Sequence, residues 1–291
     1  MILLSKPILQ ALGLSYRYPD GDTVLNDLTL TVPDNGRLAV LGANGAGKTT
    51  LLLLLSGVLR PDRGEIRLEG RPLDYSRRGV GVWRQEIGVV LQDPDDQLFA
   101  ATVYQDVSFG PLNLGLPLPV VRERVGAALA ALDIADLADR PTHALSFGQR
   151  KRVAIAGVLA MGPRLMFLDE PTAGLDPRGT QQLLLTLEQL HLAGTSLVLV
   201  THDIDLAYGW AGEVAVLNRG TVARQGPPAE VLMDRALLAA GGLRPPWVLE
   251  VGFRLRDLGW LAPGVGLPRT QGELLERLAR VVRSEGGGSR E

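Results

Sequence analysis

The feature that most constrains the fold is a glycine-rich segment at residues 42–49, with the sequence GANGAGKT. An apolar run at residues 38–41 precedes it, and a leucine-rich run at residues 51–55 follows. This order predicts a buried strand that turns through a loop into a helix. The glycines let the loop curl, so that successive amide N–H groups converge on an anion at the positive end of the helix. The segment is therefore interpreted as a P-loop, which holds the phosphates of a nucleotide.

Two side chains at the end of this loop fit nucleotide chemistry. Lys48 can reach the outer phosphates, and the hydroxyl of Thr49 can coordinate Mg²⁺. Of the 30 lysine and arginine residues, only Lys6, Lys48 and Lys151 are lysine. A lysine at position 48 therefore indicates a chemical need for a compact ammonium group. The loop residues predicted to bind the nucleotide are Asn44, Gly45, Ala46, Gly47, Lys48, Thr49 and Thr50.

The bulk composition excludes several classes of protein. A chain of 291 residues suits one large domain or two modest ones. Its formal net charge of -2 gives no electrostatic reason to expect a nucleic-acid partner, and the absence of cysteine excludes disulfides and thiolate zinc sites. No apolar run reaches the roughly 18 residues that a membrane-spanning helix needs. We therefore expect a soluble protein, for which any membrane role would have to come through partners.

Apolar runs and helical periods alternate along the chain, as is typical of an α/β fold. The predicted strands cover residues 8–18, 28–32, 38–41, 65–68, 87–91, 165–168, 197–200 and 214–217. The predicted helices cover residues 103–109, 120–132, 149–161, 181–192, 204–210, 229–238 and 271–282.

The distribution of these elements predicts the domain organisation. Residues 1–225 form an α/β core, into which a helical subdomain is inserted at about residues 93–161. Residues 226–291 form a C-terminal extension whose glycine-rich end we expect to be disordered. Trp247 and Trp260 indicate packing there, as a small unit, a docking helix or a dimer contact.

A second group of candidate residues ends the strand at residues 165–168. Asp169 and Glu170 follow it directly, and a parallel sheet places them at its carboxyl edge beside the P-loop. Asp169 can hold Mg²⁺ through water, and Glu170 can orient or deprotonate the water that attacks the γ-phosphate. Such a pair alone is more often the start of a solvated loop, but together with a P-loop it indicates catalysis.

A third pattern is LSFGQ at residues 145–149, ahead of an amphipathic helix. Ser146 can cap the helix and Gly148 permits close approach, so that a hydroxyl and free N–H groups face outward at a positive helix end. Taken alone, this pattern is an ordinary helix N-cap.

In their order, these motifs resemble those of ATP-binding cassette ATPases, the nucleotide-binding subunits of ABC transporters. The resemblance covers about residues 8–225. It implies a P-loop NTPase (RecA-like) core with an antiparallel β subdomain, an inserted α-helical subdomain and a small C-terminal extension. The motifs that carry it are the P-loop, Gln92, LSFGQ, the pair Asp169 and Glu170, AGLD at residues 173–176, and His202.

The resemblance also implies roles for these residues. Ser146 and Gly148 would bind the γ-phosphate held by the P-loop of a second subunit, so that a head-to-tail dimer encloses two ATP molecules. Asp176 would lie at the subunit junction, and His202 would contact the γ-phosphate and position the attacking water. The catalytic residues would be Glu170, His202 and Gln92, and the Mg²⁺ ligands Thr49, Gln92 and Asp169.

An aromatic residue ahead of the P-loop stacks on adenine in this family. Tyr16 and Tyr18 are both candidates. Tyr18 is favoured because it lies at a strand end just before a turn, whereas Tyr16 is expected to be a half-buried strand residue.

The segment QDPDDQLF, which begins at Gln92, points to a subfamily. In ABC ATPases this segment forms the groove that receives a coupling helix of the membrane partner. Asp93, Asp95 and Asp96 would make that groove acidic and suited to a partner arginine. With the segments DVSFGPLNLGL and AIAGVLAM, it resembles the ATPases of energy-coupling-factor importers, especially the cobalt and nickel type. Phe147 replaces the glycine that is commoner in the family, although aromatic residues occur there in this subgroup.

The resemblance implies several partners: a second ABC ATPase subunit, identical or paralogous, a transmembrane coupling protein and a small membrane protein that captures the substrate. With ATP and Mg²⁺, the chain would work at the cytoplasmic face of the cell membrane and power uptake of cobalt or nickel. A vitamin importer is the alternative, since an ATPase subunit need not touch the substrate. The single cassette and the lack of basic surplus disfavour a soluble ABC ATPase that acts on ribosomes or nucleic acid. Glu170, Gln92 and His202 argue against a scaffold that does not hydrolyse ATP.

Overall fold

The structure, a computed structural model, describes residues 7–19, 21–262 and 264–286, and of residues 281–286 the backbone alone. The chain end predicted to be disordered lies outside the described residues from position 287 onward. The strands are β1 (Pro7–Arg17), β2 (Thr23–Pro33), β3 (Arg37–Leu41), β4 (Arg63–Leu68), β5 (Arg71–Pro72), β6 (Ile87–Val90), β7 (Leu165–Asp169), β8 (Ser196–Thr201), β9 (Glu213–Asn218) and β10 (Thr221–Gly226). The helices are α1 (Lys48–Leu55), α2 (Arg77–Glu86), α3 (Val103–Asn113), α4 (Leu118–Ala131), α5 (Phe147–Met161), α6 (Pro177–Leu192), α7 (Ile204–Trp210), α8 (Pro228–Leu232), α9 (Arg235–Ala240), α10 (Trp247–Asp257) and α11 (Gln271–Gly286).

A six-stranded sheet in the order β10-β9-β3-β8-β7-β6 forms the centre of the fold. β3 pairs in parallel with β8 and β9, and β7 pairs in parallel with β6 and β8. β7 and β8 are buried at every residue, as expected for continuous apolar runs in a sheet covered on both faces. Because parallel strands share one direction, the loops after β3, β6, β7 and β8 meet at one edge of the sheet.

A second, antiparallel sheet in the order β2-β1-β4-β5 packs beside the P-loop helix. Its buried residues, including Leu9 and Leu28, share one hydrophobic cluster with Leu51 and Leu55 of α1 and with Val40 of β3. The helix that follows the P-loop is therefore held between two sheets, which fixes the loop in front of it.

The helices between β6 and β7 form the predicted helical region, in which α5 packs against both α3 and α4. The structure extends α3 four residues beyond its predicted end at residue 109. The helix continues through Gly110, whose lack of a side chain allows close packing on α5. A Cβ built there would lie 2.5 Å from Met161 Cγ. Pro111 is tolerated inside this last turn.

The sequence reasoning missed α2, α10 and β10. Trp83 is the buried residue of α2, and its Nε1 donates to the Leu55 carbonyl over 2.9 Å. With one apolar anchor and two glycines in the segment, no helical period stood out. The Ser76 hydroxyl, which accepts from the Gly79 N–H over 3.1 Å, caps this helix and was the signal available.

The C-terminal extension packs onto the core instead of forming a separate unit. Val248, Leu249 and Leu274 belong to the same hydrophobic cluster as the central sheet. The helix predicted at residues 229–238 is two short helices, because Asp234 caps α9 by accepting from the Leu237 N–H. The two tryptophans are 42% and 43% exposed, so neither anchors a separate core. The domain boundary near residue 225 stays a prediction.

Candidate nucleotide site

The P-loop backbone takes a conformation that requires its glycines. Gly45 and Gly47 have φ angles of 81° and 99°, a region that other residues adopt with strain. Neighbours also crowd the loop: a Cβ at Gly47 would lie 2.7 Å from Leu25 Cδ2, and one at Gly42 2.6 Å from the Leu217 carbonyl oxygen. The curled loop is therefore built into the packing of β2 and β9 around it.

Lys48 lies within this loop. Its Nζ donates to the carbonyl oxygens of Gly42 and Ala43 over 2.8 and 3.1 Å. Burial lowers the pKa of Lys48, while the carboxylates of Glu170 and Asp169 oppose that shift. The ammonium thus lies between the loop backbone and the acids at the end of β7.

Asp169, the last residue of β7, lies next to the P-loop as the parallel sheet predicts. The Thr49 hydroxyl donates to Asp169 Oδ2 over 3.3 Å. Burial raises the pKa of Asp169, and the hydrogen bond from Thr49 opposes the shift. A hydroxyl and a carboxylate are therefore brought together, and both are hard oxygen ligands.

Glu170 is held in a strained position by contacts to both of its carboxylate oxygens. Its φ of 44° is left-handed, which costs a non-glycine residue about 1–3 kcal/mol. Oε2 accepts from the Thr201 hydroxyl over 2.9 Å. Oε1 accepts from the backbone N–H of His202 over 2.9 Å and lies 2.6 Å from His202 Nδ1. Because a carboxylate only accepts, Nδ1 carries the ring proton and Nε2 is left without it in the neutral ring.

Gln92 completes this edge of the sheet. It lines a cleft of about 570 Å³ together with Thr49, Asp169 and Phe147. Glu170 follows Asp169 directly in the chain, and His202 contacts Glu170. The structure therefore brings together residues predicted from four separate segments of the chain.

Tyr18 lies at the outer side of the P-loop helix. Its hydroxyl is 3.3 Å from Thr50 Oγ1, and the side chain is 39% exposed. Tyr16 is 8% exposed and meets Tyr18 edge to face, with ring centroids 5.0 Å apart. The geometry agrees with the choice of Tyr18, whose contact with adenine stays a prediction.

The LSFGQ segment forms a well-capped helix start at the surface. The Ser146 hydroxyl accepts from the Gln149 N–H, and the Gln149 side chain accepts from the Ser146 N–H, which makes a capping box. Phe147 covers Gly174, where a Cβ would lie 2.4 Å from Phe147 Cδ1.

Asp176 is the neighbouring element of that surface. It caps α6 by accepting from the Gly179 N–H over 2.6 Å. Within the described ranges, no hydrogen bond joins Ser146, Gly148 or Asp176 to the P-loop. Phe147, which lies between Ser146 and Gly148, is nevertheless at the same cleft as Thr49 and Asp169.

The acidic groove predicted after Gln92 is only partly free. Arg150 Nε lies 2.7 Å from Asp95 Oδ1, an ion pair without hydrogen-bond geometry, and Asp93 Oδ1 accepts from the Asp95 N–H. Asp95 is thus already paired within its own chain but remains 60% exposed, and its contact with a partner arginine stays a prediction. Asp96 stays exposed at the cleft.

Sequence reasoning missed Thr201 and Lys151. Thr201 follows a buried strand and looks like an ordinary strand end, so no local signal marks its bond to Glu170. Lys151 is fully buried, and the rarity of lysine in this chain was the available signal. Among the described residues, no cluster of three or more His, Cys, Asp or Glu side chains could hold a metal ion.

Comparison with known proteins gives a consistent result. A family model described as "ABC transporter" matches residues 25–173. The Rhodobacter capsulatus protein "Cobalt import ATP-binding protein CbiO" is 54% identical over 95% of this chain and 99% of its own length. An "Energy-coupling factor transporter ATP-binding protein EcfA2" of Methanospirillum hungatei is 40% identical over 91% of this chain and 66% of its own.

Solved structures show the same likeness. The structure of cbiO1 from Clostridium perfringens, part of the ABC transporter complex cbiONQ, superposes with a TM-score of 0.72. It is 43% identical and covers 88% of this chain and 98% of that one. A bacterial ABC transporter cassette solved as a dimer is 25% identical, with a TM-score of 0.69 over 76% of this chain and 98% of that one.

Proposed function

The chain belongs to the ATP-binding subunits of ABC transporters, which hydrolyse ATP, and from that membership we propose that it powers an importer of cobalt or nickel ions. The resemblance and the P-loop NTPase fold predicted from the sequence are confirmed, and the chain is an ATPase. The observation that carries the hydrolytic part is the Glu170 carboxylate held beside the P-loop by Thr201 and His202. The choice of metal ion rests on the 54% identical relative named for cobalt import.

Binding of ATP follows from the loop geometry. The N–H groups of residues 44–50 and the Lys48 ammonium hold the β- and γ-phosphates, where the positive end of α1 favours them. Tyr18 stacks on the adenine at the outer side of the loop. Mg²⁺ fits the oxygen ligands of Thr49, Asp169 and Gln92, since this ion is bound by few protein groups together with phosphate. When bound, it offsets the phosphate charge.

Hydrolysis depends on Glu170. A carboxylate offers about four acceptor positions, and three are occupied by Thr201 and His202. The remaining position on Oε2 receives the proton of the attacking water. The water oxygen bonds to the γ-phosphorus as the bond to the β–γ bridging oxygen breaks, which yields ADP and phosphate. His202 Nε2, an acceptor in this tautomer, accepts a hydrogen bond from the attacking water and positions it against the γ-phosphate, with Gln92 at the cleft beside them.

Two chains are needed for a complete site. Ser146 and Gly148 lie at the capped N-terminus of α5, where the positive end of the helix dipole reaches the surface, and no hydrogen bond joins them to the P-loop of their own chain in the described structure. We propose that they bind the γ-phosphate on a second subunit, with Asp176 at the junction. The related cassette that was solved as a dimer supports this arrangement.

The membrane partner docks on the groove after Gln92. Asp96 is exposed there, and Phe99 and Phe109, which are 64% and 48% exposed, form an edge-to-face pair beside it. An acid next to exposed aromatic rings suits a coupling helix with an arginine and apolar residues. The described part of the chain has no helix that could itself cross a bilayer. We propose that a transmembrane coupling protein and a capture protein provide the path, with the ATPase at the cytoplasmic face.

The test is transport by the purified complex. The chain is isolated with the membrane proteins that accompany it, reconstituted in liposomes, and given ATP with radioactive Co²⁺, Ni²⁺ or a set of labelled vitamins. We expect metal-ion uptake that needs ATP and disappears in Lys48→Ala. Uptake of a vitamin without either metal would replace cobalt and nickel as the substrate. Co-isolation with ribosomes instead of membrane proteins would refute the importer.

A further inference from the structure

Lys151, in the second turn of α5, is a charged residue with no exposed surface. Its Nζ donates to three carbonyl oxygens: those of Leu91 over 3.0 Å, Gln92 over 2.7 Å and Asp169 over 3.2 Å. An ammonium group has three N–H donors, so every donor can be used. The acceptors lie at or just beyond the ends of two neighbouring parallel strands, β6 and β7.

Burial of an ammonium is costly unless all of its donors are bonded. An apolar side chain of similar length would fill the same volume without that cost. Burial lowers the pKa of Lys151 to about 8, and the charges of Asp169, Glu170 and Asp93 oppose the shift. Filling space therefore does not account for a lysine here, whereas holding three carbonyl groups in place does.

The carbonyl groups that Lys151 contacts lie next to residues with proposed functional roles. Two of them belong to Gln92 and Asp169, which the proposed function places at Mg²⁺. Lys151 also lies five residues after Ser146, the start of the helix whose positive end faces the second subunit. Lys151 thus connects the residues proposed to bind Mg²⁺ at the chain's own nucleotide to the start of α5, which is proposed to bind the nucleotide of the other subunit.

Arg150, the neighbour of Lys151, makes a second contact between α5 and the segment after Gln92. Arg150 forms its ion pair with Asp95, three residues after Gln92, and its NH1 donates to the Leu145 carbonyl over 2.7 Å. The first turns of α5 therefore hold both the backbone at Gln92 and the short helical turn that follows it. This turn lies next to the exposed Asp96 and Phe99, where the membrane partner is proposed to dock.

We infer that Lys151 is a positioning residue, which fixes the backbone of Gln92 and Asp169 to α5, so that the signature end of α5 and the Mg²⁺ side of the same chain's site move as one piece. This inference rests on the proposed roles of Ser146, Gln92 and Asp169. It predicts that loss of the ammonium affects use of Mg²⁺ and turnover more than binding of the nucleotide itself.

The first experiment compares Lys151→Met with Arg152→Met, a matched control on the same helix. Arg152 donates to the carbonyls of Leu132 and Asp133, away from the cleft. We expect Lys151→Met to lower kcat at least about tenfold and to raise the Mg²⁺ concentration for half-maximal activity severalfold, as loss of a buried positioning group does. Affinity for ATP without Mg²⁺ should match that of the control. Equal kcat and equal Mg²⁺ dependence in the two folded variants would overturn the inference.

Lys151→Gln provides the answer if Lys151→Met does not fold. The amide keeps two donors, so part of the carbonyl contacts can form. An Mg²⁺ requirement between those of wild type and a Mg²⁺-ligand variant, Asp169→Asn, is expected. A requirement equal to that of the wild type would count against the positioning role. Loss of activity in Glu170→Gln, measured in parallel, tests the proposed function separately.

The link between the two ends of α5 is tested in mixed dimers. One chain carries Ser146→Arg and the other Lys48→Ala, so that a single competent site combines the P-loop of the first with the signature of the second. Lys151→Met is then placed in either chain. We expect lower turnover in both cases, with the higher Mg²⁺ requirement when it lies in the chain with the intact P-loop. A loss confined to that chain would overturn the coupling of the two ends.

Discussion

The P-loop face and the signature face of this chain differ in how much of their chemistry one chain supplies. On the P-loop face, Lys48, Thr49, Asp169 and Glu170 are all held by contacts within the chain. On the signature face, Ser146 and Asp176 each cap a helix, and no hydrogen bond joins them to the P-loop in the described residues. The P-loop face is therefore a nearly complete nucleotide site, whereas the signature face makes no hydrogen bond to the P-loop of its own chain within the part that the structure describes.

This difference indicates where regulation lies. A chain that carries a whole active site could hydrolyse ATP without control, whereas one that needs a second signature face hydrolyses only when two chains close. The mutations below separate the two faces, because under the proposed function changes on the P-loop face affect chemistry directly and changes on the signature face act through dimer closure.

The largest effect is expected for Glu170→Gln, on the P-loop face. The amide cannot accept the proton of the attacking water, so kcat should fall by about 10²–10⁴-fold, the contribution of a general base. ATP binding should be retained, and an ATP-bound dimer should accumulate. Steady-state ATPase assays, nucleotide binding and size-exclusion chromatography measure these quantities. Turnover near that of the wild type would remove Glu170 from its role.

A smaller effect on the same face is expected for Thr201→Val. The change removes the hydroxyl that donates to Glu170 Oε2 and keeps the shape of the strand. A hydrogen bond to a charged group is worth about 1.5–3 kcal/mol, so kcat should fall by about 10–100-fold with little change in KM. Thr201→Ser, which keeps the hydroxyl, is the matched control. An equal loss in both variants would mean that packing at this position matters, and not the hydrogen bond.

Gly174→Ala perturbs the signature face. Its φ of 76° is strained for alanine, and the new Cβ would meet the Phe147 ring; we expect a stability loss of about 1–3 kcal/mol. Gly194→Ala is the control, since its φ is 98° and a Cβ there meets nothing within 4 Å. Thermal unfolding and ATPase assays should show that Gly174→Ala alone impairs turnover while ATP binding to the monomer is unchanged. Reduced binding to the monomer would show that the two faces are not separable.

The smallest effect on the isolated ATPase is expected for Asp96→Arg. The residue lies at the groove and at the outer side of the nucleotide cleft, so the change should prevent co-purification with the membrane partner while it lowers soluble ATP turnover less than any of the changes above. Asp257→Arg, an exposed acid at the end of α10, makes the same charge change elsewhere. Retention of the membrane partner by Asp96→Arg would refute docking at this groove.

Sequence reasoning predicted the P-loop face well because its elements are local. A few neighbouring residues are enough to recognise a glycine loop between a strand and a helix, or two acids after a buried strand. The parallel sheet then brings them to one edge without further information. Thr201 and Lys151 were missed because their contacts join distant segments, which no local pattern records.

Other misses have equally specific causes. The helix α2 escaped because Trp83 is its one buried anchor, and α3 was ended early because Gly110 and Pro111 resemble a stop signal. In the structure Gly110 serves close packing on Met161. The acidic patch after Gln92 was predicted from its charges, which do not reveal that Arg150 of the same chain pairs with Asp95.

The measurement that tests the central claim most directly is complementation between two inactive chains. Ser146→Arg disables the signature face and Lys48→Ala the P-loop face, so each homodimer should be inactive. In an equal mixture half of the dimers are mixed and hold one competent site of two, so ATPase activity should recover to about a quarter of the wild-type level. A mixture that contains verified mixed dimers and yet shows no activity above either parent would contradict a site shared between two chains.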